Sequence, residues 1–192
     1  MDDRVTRKLK TIAIALAVLF IGWAVYDKFV ADVAPGDMAY HAGNRAFEDG
    51  EYARAEADYR HALAEAPEHV WALRGLARSL HLRGEHEEAL ALYDRAIERD
   101  PEFAGTHANR GILLDTMGRH EDALEDYDRA LALNAEVAEG PHWLTRFLRN
   151  QPEAPPTIVD RARYLRAEFA KPEAERVLRV PEIDGQQRSY KQ

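Results

Sequence analysis

Between residues 36 and 137 the apolar and polar positions of the chain fall into a pattern that returns every 34 residues. Ala55, Ala89 and Ala123 share one register, as do Tyr59, Tyr93 and Tyr127, then Ala62, Ala96 and Ala130, then Leu63, Ile97 and Leu131. Gly50, Gly84 and Gly118 keep the same step, and so do Pro67 and Pro101, with Ala135 in their place in the third copy. Apolar residues three and four apart share one face of a helix. Glycine supplies the turn between two helices, and proline ends the unit. Each period therefore predicts a helical hairpin, and the fixed repeat predicts a stack of hairpins instead of a globule around one central site.

Two further apolar stretches flank the repeats. Residues 11–26, TIAIALAVLFIGWAVY, carry no charge. They would extend about 24 Å as a helix, against a bilayer core of about 30 Å. Phe29 and Val30 lengthen the apolar stretch, Lys10 and Lys28 can snorkel, and Trp23 and Tyr26 suit an interfacial aromatic belt. The pattern predicts one membrane-spanning helix over about 9–30. Arg4, Arg7, Lys8 and Lys10 precede it, and only Lys28 follows closely. By the positive-inside rule the N-terminus is cytoplasmic and the repeats lie beyond the inner membrane, in the periplasm of a Gram-negative cell. A signal peptide cleaved after Ala24 is the competing reading and exports the repeats equally. At the other end Ile158, Ala162, Leu165 and Phe169 form one stripe, predicting a helix over about 157–170 that caps the last repeat. A short helix over 172–178 and an extended tail over 180–192 are expected to follow.

The repeated unit resembles the tetratricopeptide repeat. Gly43-Asn44, Gly50, Tyr52, Ala55, Tyr59, Ala62-Leu63 and Pro67 carry the likeness in copy 36–69. Leu73, Leu76-Ala77, Gly84, Ala89, Tyr93, Ala96-Ile97 and Pro101 carry it in 70–103, and Gly111, Gly118, Ala123, Tyr127 and Ala130-Leu131 in 104–137. His86 and His120 stand where repeat one has Tyr52, and a partial fourth copy over 138–150 is stopped by Pro152, Pro155 and Pro156. The resemblance implies an all-α solenoid of three full hairpins, a partial fourth and a cap, preceded by a transmembrane helix. The expected organisation is a cytoplasmic N-terminus (1–10), a membrane helix (11–30), a linker (31–36), the repeat domain (37–150), capping helices (151–179) and a tail (180–192).

Charge narrows the partners. Residues 1–30 carry +2, residues 31–140 carry −13 and residues 141–192 carry +3, which sum to the net −8 of the chain. An acidic array repels phosphates, so no nucleic-acid partner is expected; solvated helix faces explain the acidity equally well. With no cysteine, disulfides and thiolate metal sites are excluded. The eight histidines form no HExxH pair. The carboxylate pairs Glu87-Glu88 and Glu121-Asp122 are adjacent, so they do not face each other, and they open second helices, where the helix dipole favours anions. There is no phosphate-cradling glycine loop. No enzyme activity, metal, cofactor or small-molecule substrate is expected.

The expected function is therefore protein binding. In the tetratricopeptide pattern the first helices line a concave groove. The pattern places Asp37, Tyr40, Asn44, Phe47 and Glu48 there from repeat one, and Trp71, Arg74, Arg78, His81 and Leu82 from repeat two. Ala108, Ile112, Asp115 and Thr116 follow from repeat three, then Glu139, His142, Arg146 and Arg149. Trp71 with Arg74 and Arg78 is the sharpest cluster, since Trp, Tyr and Arg dominate binding hot spots. The alternative is that Trp71 packs on the next repeat and the arginines pair with nearby acids. Of a carboxylate clamp known in the family only Asn44 is matched, and Tyr40 stands where lysine is expected. The readings that follow are a membrane-anchored scaffold or assembly factor, resembling the anchored periplasmic repeats of cytochrome c maturation; an integral subunit of a membrane complex, contacting it through its helix and tail; and a secreted chaperone.

Overall fold

Gly50, Gly84 and Gly118 adopt left-handed backbones, with φ of 79°, 82° and 80°, and each closes a helical hairpin. The computed structural model describes residues 3–26, 34–139 and 156–180. Eight α-helices run through them: α1 (Asp3–Tyr26), α2 (Asp37–Glu48), α3 (Tyr52–Glu65), α4 (Val70–Arg83), α5 (His86–Arg99), α6 (Ala104–Thr116), α7 (His120–Leu133) and α8 (Ile158–Phe169). Helices α2–α3, α4–α5 and α6–α7 form three hairpins in series, and no β-strand occurs among the described residues. The repeat architecture expected from the 34-residue period is thus present.

Local chemistry sets the helix ends. Acidic pairs open α5 and α7, where they complement the helix dipole. His69 caps α4, its Nδ1 accepting the Ala72 N–H at 3.1 Å. Thr157 and Asp160 form a reciprocal capping box on α8. Pro67 and Pro101 lie in the turns between hairpins. In the third copy Asn134 ends α7, and its side chain caps a short 3-10 turn, Ala135–Ala138.

Tyr59, Tyr93 and Tyr127 are wholly buried, together with the alanines of the repeat register. Tyr59 shows how tightly the stack closes. A Cβ on Gly43 would lie 2.7 Å from its ring, and one on Gly75 would lie 2.5 Å from it. The ring is therefore clamped between the backbones of α2 and α4. First helices of successive hairpins touch one another (α2 on α4, α4 on α6), while second helices hardly meet. The stack therefore curves with α2, α4 and α6 on the inside.

Helix α8 packs on α7 and closes the end of the stack, burying Ile158, Ala162 and Leu165. Beyond it the helix expected over 172–178 is only a 3-10 turn, Glu173–Glu175. Residues past that turn are extended because their backbone is tied to α8 side chains (Val177 N–H to Glu168, Val177 C=O to Tyr164). The expected fourth copy lies almost entirely outside the described residues, as does the tail beyond residue 180.

Among the described residues, no helix is long and apolar enough to cross a membrane. The spanning helix expected from the sequence finds no support there. Even so, Ile12, Ile14, Leu16, Val18, Leu19, Phe20, Ile21 and Trp23 are all exposed.

Candidate peptide-binding face

Trp71, Arg74, Arg78 and His81 follow one another on α4 at spacings of three and four, and so form one stripe. Packing then separates them. Trp71 is 40% exposed, and its ring meets Phe103 edge-on at 5.2 Å. Arg74 is 0% exposed. Its guanidinium lies 4.1 Å from the Phe103 ring centre and 4.7 Å from that of Trp71. Its Nε donates to Thr106 Oγ1 at 2.6 Å and its Nη2 to Asp100 Oδ2 at 2.7 Å. Burial lowers its pKa, and the bond and charge of Asp100 oppose that shift. Arg74 is a rivet between the second and third hairpins and is closed to a ligand. That corrects the expectation from the register, because Phe103, at the start of α6, and Thr106, within it, fold over Arg74.

Arg78 joins the first two hairpins, its guanidinium stacked 3.8 Å over the Phe47 ring. At 6% exposure only an edge of it reaches the inner face. His81 sits one turn further on, edge-to-face with His86 at 5.7 Å, with its Nε2 3.5 Å from Thr116 Oγ1. Burial, and secondly the charge of His86, lowers its pKa from 6.5 to about 4, so the ring is neutral at pH 7.

On α2, Tyr40 is half-buried, its ring 5.1 Å from His69 and 6.2 Å from Tyr59. Asn44 is engaged within the fold, because its Oδ1 accepts the Tyr59 hydroxyl at 2.6 Å. Burial pushes that phenol up to about 12. Phe47 is half-buried beneath Arg78. Asp37 meets His69 Nε2 at 2.9 Å; since His69 Nδ1 is an acceptor, Nε2 is the donor in that contact.

The third repeat is closed. Ile112 and Asp115, expected in the groove, are buried. Asp115 accepts Arg161 Nε at 2.7 Å, Arg161 Nη2 at 2.8 Å, His120 Nδ1 at 2.7 Å and the Tyr127 hydroxyl at 3.3 Å. Burial alone would raise its pKa; Arg161 and His120 outweigh that and hold it below the usual carboxylate range. A second buried carboxylate, Asp126, binds Arg110 through two bonds of 2.7 and 2.8 Å, and His107 at 3.3 Å. Both sites knit helices together. His142, Arg146 and Arg149 lie outside the described residues.

What stays open on the inner face is the aromatic row Tyr40, Phe47 and Trp71, with His81, an edge of Arg78 and the exposed Leu82. Such a surface supplies contact area and a few polar contacts. Among the described residues no cluster of three or more potential metal ligands occurs. The 34-residue register missed Phe103, since it stands 34 after a histidine, His69, and 34 before Val137.

Two tetratricopeptide-repeat family models match the chain, over residues 46–109 and 104–136. No curated protein matches. Among solved structures, the O-GlcNAc transferase of Thermobaculum terrenum (a K341M mutant) is similar at 25% identity and a TM-score of 0.53, over 54% of this chain and 20% of that one. The chain thus spans only a fifth of that enzyme. The second TPR of Spaghetti (RPAP3), bound to the HSP90 peptide SRMEEVD, is similar at 24% identity and a TM-score of 0.50, over 52% of this chain and 93% of that one. The TPR2B domain of yeast Sti1, in complex with pHsp70, is similar at 24% identity and a TM-score of 0.51, over 62% and 93%. Residues 46–136, with the hairpin geometry and glycine turns described above, are tetratricopeptide repeats.

Proposed function

We propose that the chain is a membrane-anchored scaffold, or assembly factor, that holds an extended segment of a partner protein on the inner face of α2 and α4. Its array lies on the periplasmic side of the inner membrane. The observation that carries the binding role is the half-open aromatic row Tyr40, Phe47 and Trp71, because large rigid aromatics dominate binding energy when a partner covers them. A photoreactive residue at position 71 should crosslink a partner in cells, and one at Glu98, on the exposed side of α5, should not. Crosslinks from position 98 with none from 71 would sink the assignment of the face.

The anchor rests on α1. The large apolar side chains from Ile12 to Trp23 are 55–69% exposed, and successive residues turn about 100° around a helix, so they point in every direction. Water disfavours such a surface and hydrocarbon accepts it. The proposed span borrows Phe29 and Val30 from the sequence beyond α1, with Lys10 and Lys28 snorkelling. The protein should remain in membranes washed with alkaline carbonate, and a reporter active only outside the cytoplasm should work when fused at Gln192. Release by carbonate refutes the anchor, and a silent reporter refutes the orientation.

The same exposed surface of α1 favours a second reading, a permanent subunit whose helix packs on other membrane helices. Mild detergent separates the two. A stoichiometric co-purifying complex points to the subunit, and transient, salt-sensitive capture points to the factor.

A further inference from the structure

Past α8 the chain turns back along that helix as an extended strap. Val177 N–H donates to Glu168 Oε2 at 2.8 Å, the Tyr164 hydroxyl donates to Val177 O at 2.6 Å, and Arg161 Nη2 donates to Leu178 O at 2.7 Å. Arg161, Tyr164 and Glu168 are three and four residues apart and so form one stripe of α8. All three bonds go to the backbone of the strap. Its own side chains contribute three anchors: Arg176 donates to the main-chain oxygens of Lys171 and Phe169 at 3.1 and 3.3 Å, Leu178 packs half-buried on the apolar cluster of α6, α7 and α8, and Arg179 Nη2 donates to the main-chain oxygen of Thr116, at the end of α6, at 2.8 Å. This is how a helical stripe reads an extended peptide, by side chain to main chain with one apolar pocket and charged contacts. Two members of the stripe are held independently of the strap, Arg161 by two bonds to Asp115 and Glu168 by Lys171 Nζ at 2.6 Å. The strap lies at the surface: Val177 is 55% exposed, and both residues beside Leu178 are exposed.

We propose that the Arg161–Tyr164–Glu168 stripe, with the Thr116 carbonyl, is a second peptide-docking site. In the free chain residues 176–180 occupy it. Once the strap leaves, it takes an extended partner segment with the same order, a bulky apolar residue followed by arginine. This site is separate from the α2–α4 face and does not depend on it.

The test uses the full chain carrying Leu178→Gly and Arg179→Ala, which loosens the strap without touching the stripe. A fluorescent peptide of residues 173–183 is titrated by polarisation. The loosened chain should bind it at least tenfold more tightly than the unaltered chain, and adding Tyr164→Phe should remove most of that gain. Equal binding by loosened and unaltered chains overturns the site, as does a gain indifferent to Tyr164→Phe. If the loosened chain forms dimers and leaves the peptide unbound, the stripe accepts only a second copy of its own strap, and the proposal of a partner segment fails. Should the loosened chain lose helicity, hydrogen exchange of the unaltered chain decides. Exchange at the Val177 amide much faster than in α7 supports an exchangeable strap, and equal protection overturns it.

Discussion

Replacing Gly75 with alanine should destabilise the array although alanine is the better helix former. The new Cβ would stand 2.5 Å from Cε1 and Cζ of Tyr59 and 3.0 Å from its Cδ1. Carbon atoms pack at about 3.5–4.0 Å, so the ring must withdraw by about 1 Å. It has nowhere to go. The backbone of α2 also lies against it at Gly43, where a Cβ would already be 2.7 Å away, and its hydroxyl is tied to Asn44 at 2.6 Å. The methyl group must therefore push α4 from α2 or break that hydrogen bond. Overpacking of this kind costs about 1–3 kcal/mol, and the helical preference of alanine returns up to about 1 kcal/mol. A net loss of up to about 2 kcal/mol should lower the melting temperature by up to roughly 15 °C for an array of this size.

Urea unfolding followed by circular dichroism measures it, with Gly84→Ala as the control. Gly84 has open space around its Cβ position, so its cost comes only from φ of 82° and amounts to about 1–2 kcal/mol. The distinguishing step is a Tyr59→Leu background. There Gly75→Ala should be neutral or stabilising, because the ring it strikes is gone, while the Gly84→Ala penalty should persist. A Gly75→Ala protein as stable as the parent, or a penalty unchanged in the Tyr59→Leu background, refutes the clamp.

Asp115→Asn should release α8 and the strap, because it strips Arg161 of its buried counter-charge. Breaking such a pair costs about 3–5 kcal/mol, and hydrogen exchange in α8 should rise while α2–α3 stays protected; uniform protection in α8 would count against it. Stability should also fall as pH drops from about 6.5 to about 4, because the unfolded chain protonates His81 near 6.5 and the folded chain only near 4. At about 1.4 kcal/mol per unit the loss is at most about 3 kcal/mol, and His81→Asn should flatten that window. Asp115 and Asp126, whose folded pKa values are depressed, stabilise above about 3.8, and their contribution is lost only as pH falls further, so a transition confined below pH 4 would refute the histidine assignment. Finally, Trp71→Ala with Phe47→Ala should weaken partner capture at least tenfold while helicity is retained, whereas Arg74→Ala should act chiefly through stability; capture unaffected by the aromatic pair removes the α2–α4 face from the mechanism.

Period and turn chemistry were legible because they are local. A residue 34 places on meets the same neighbours, so Tyr59, Tyr93 and Tyr127 announce the same pocket three times. A glycine after an apolar helical stripe announces a left-handed turn, as Gly50, Gly84 and Gly118 show. The site was less legible. Arg74 and Arg78 look alike on α4, yet Phe103 and Thr106 seal the first, while an edge of the second stays open over Phe47. Those partners lie on neighbouring hairpins, and nothing in the spacing of α4 reveals them. Gly75 falls outside the glycine register, since the same position is His41 in the first copy and Asn109 in the third, and its contact with Tyr59 exists only once α4 is laid on α2.

By itself the sequence determined the unit, its turns, the stacking of hairpins and the acidic charge of the array, because helix periodicity, glycine φ and charge are set within a few residues along the chain. Only the tertiary structure decided which inner-face residues face a partner and which serve as rivets. It alone showed that Arg161 of α8 engages the buried Asp115 and that a strap lies along the Arg161–Tyr164–Glu168 stripe of that helix. Those outcomes depend on a guanidinium or a carboxylate finding partners that stand tens of residues away, as Asp115 finds Arg161 46 residues later; burial then converts a polar group on a helix surface into part of the core.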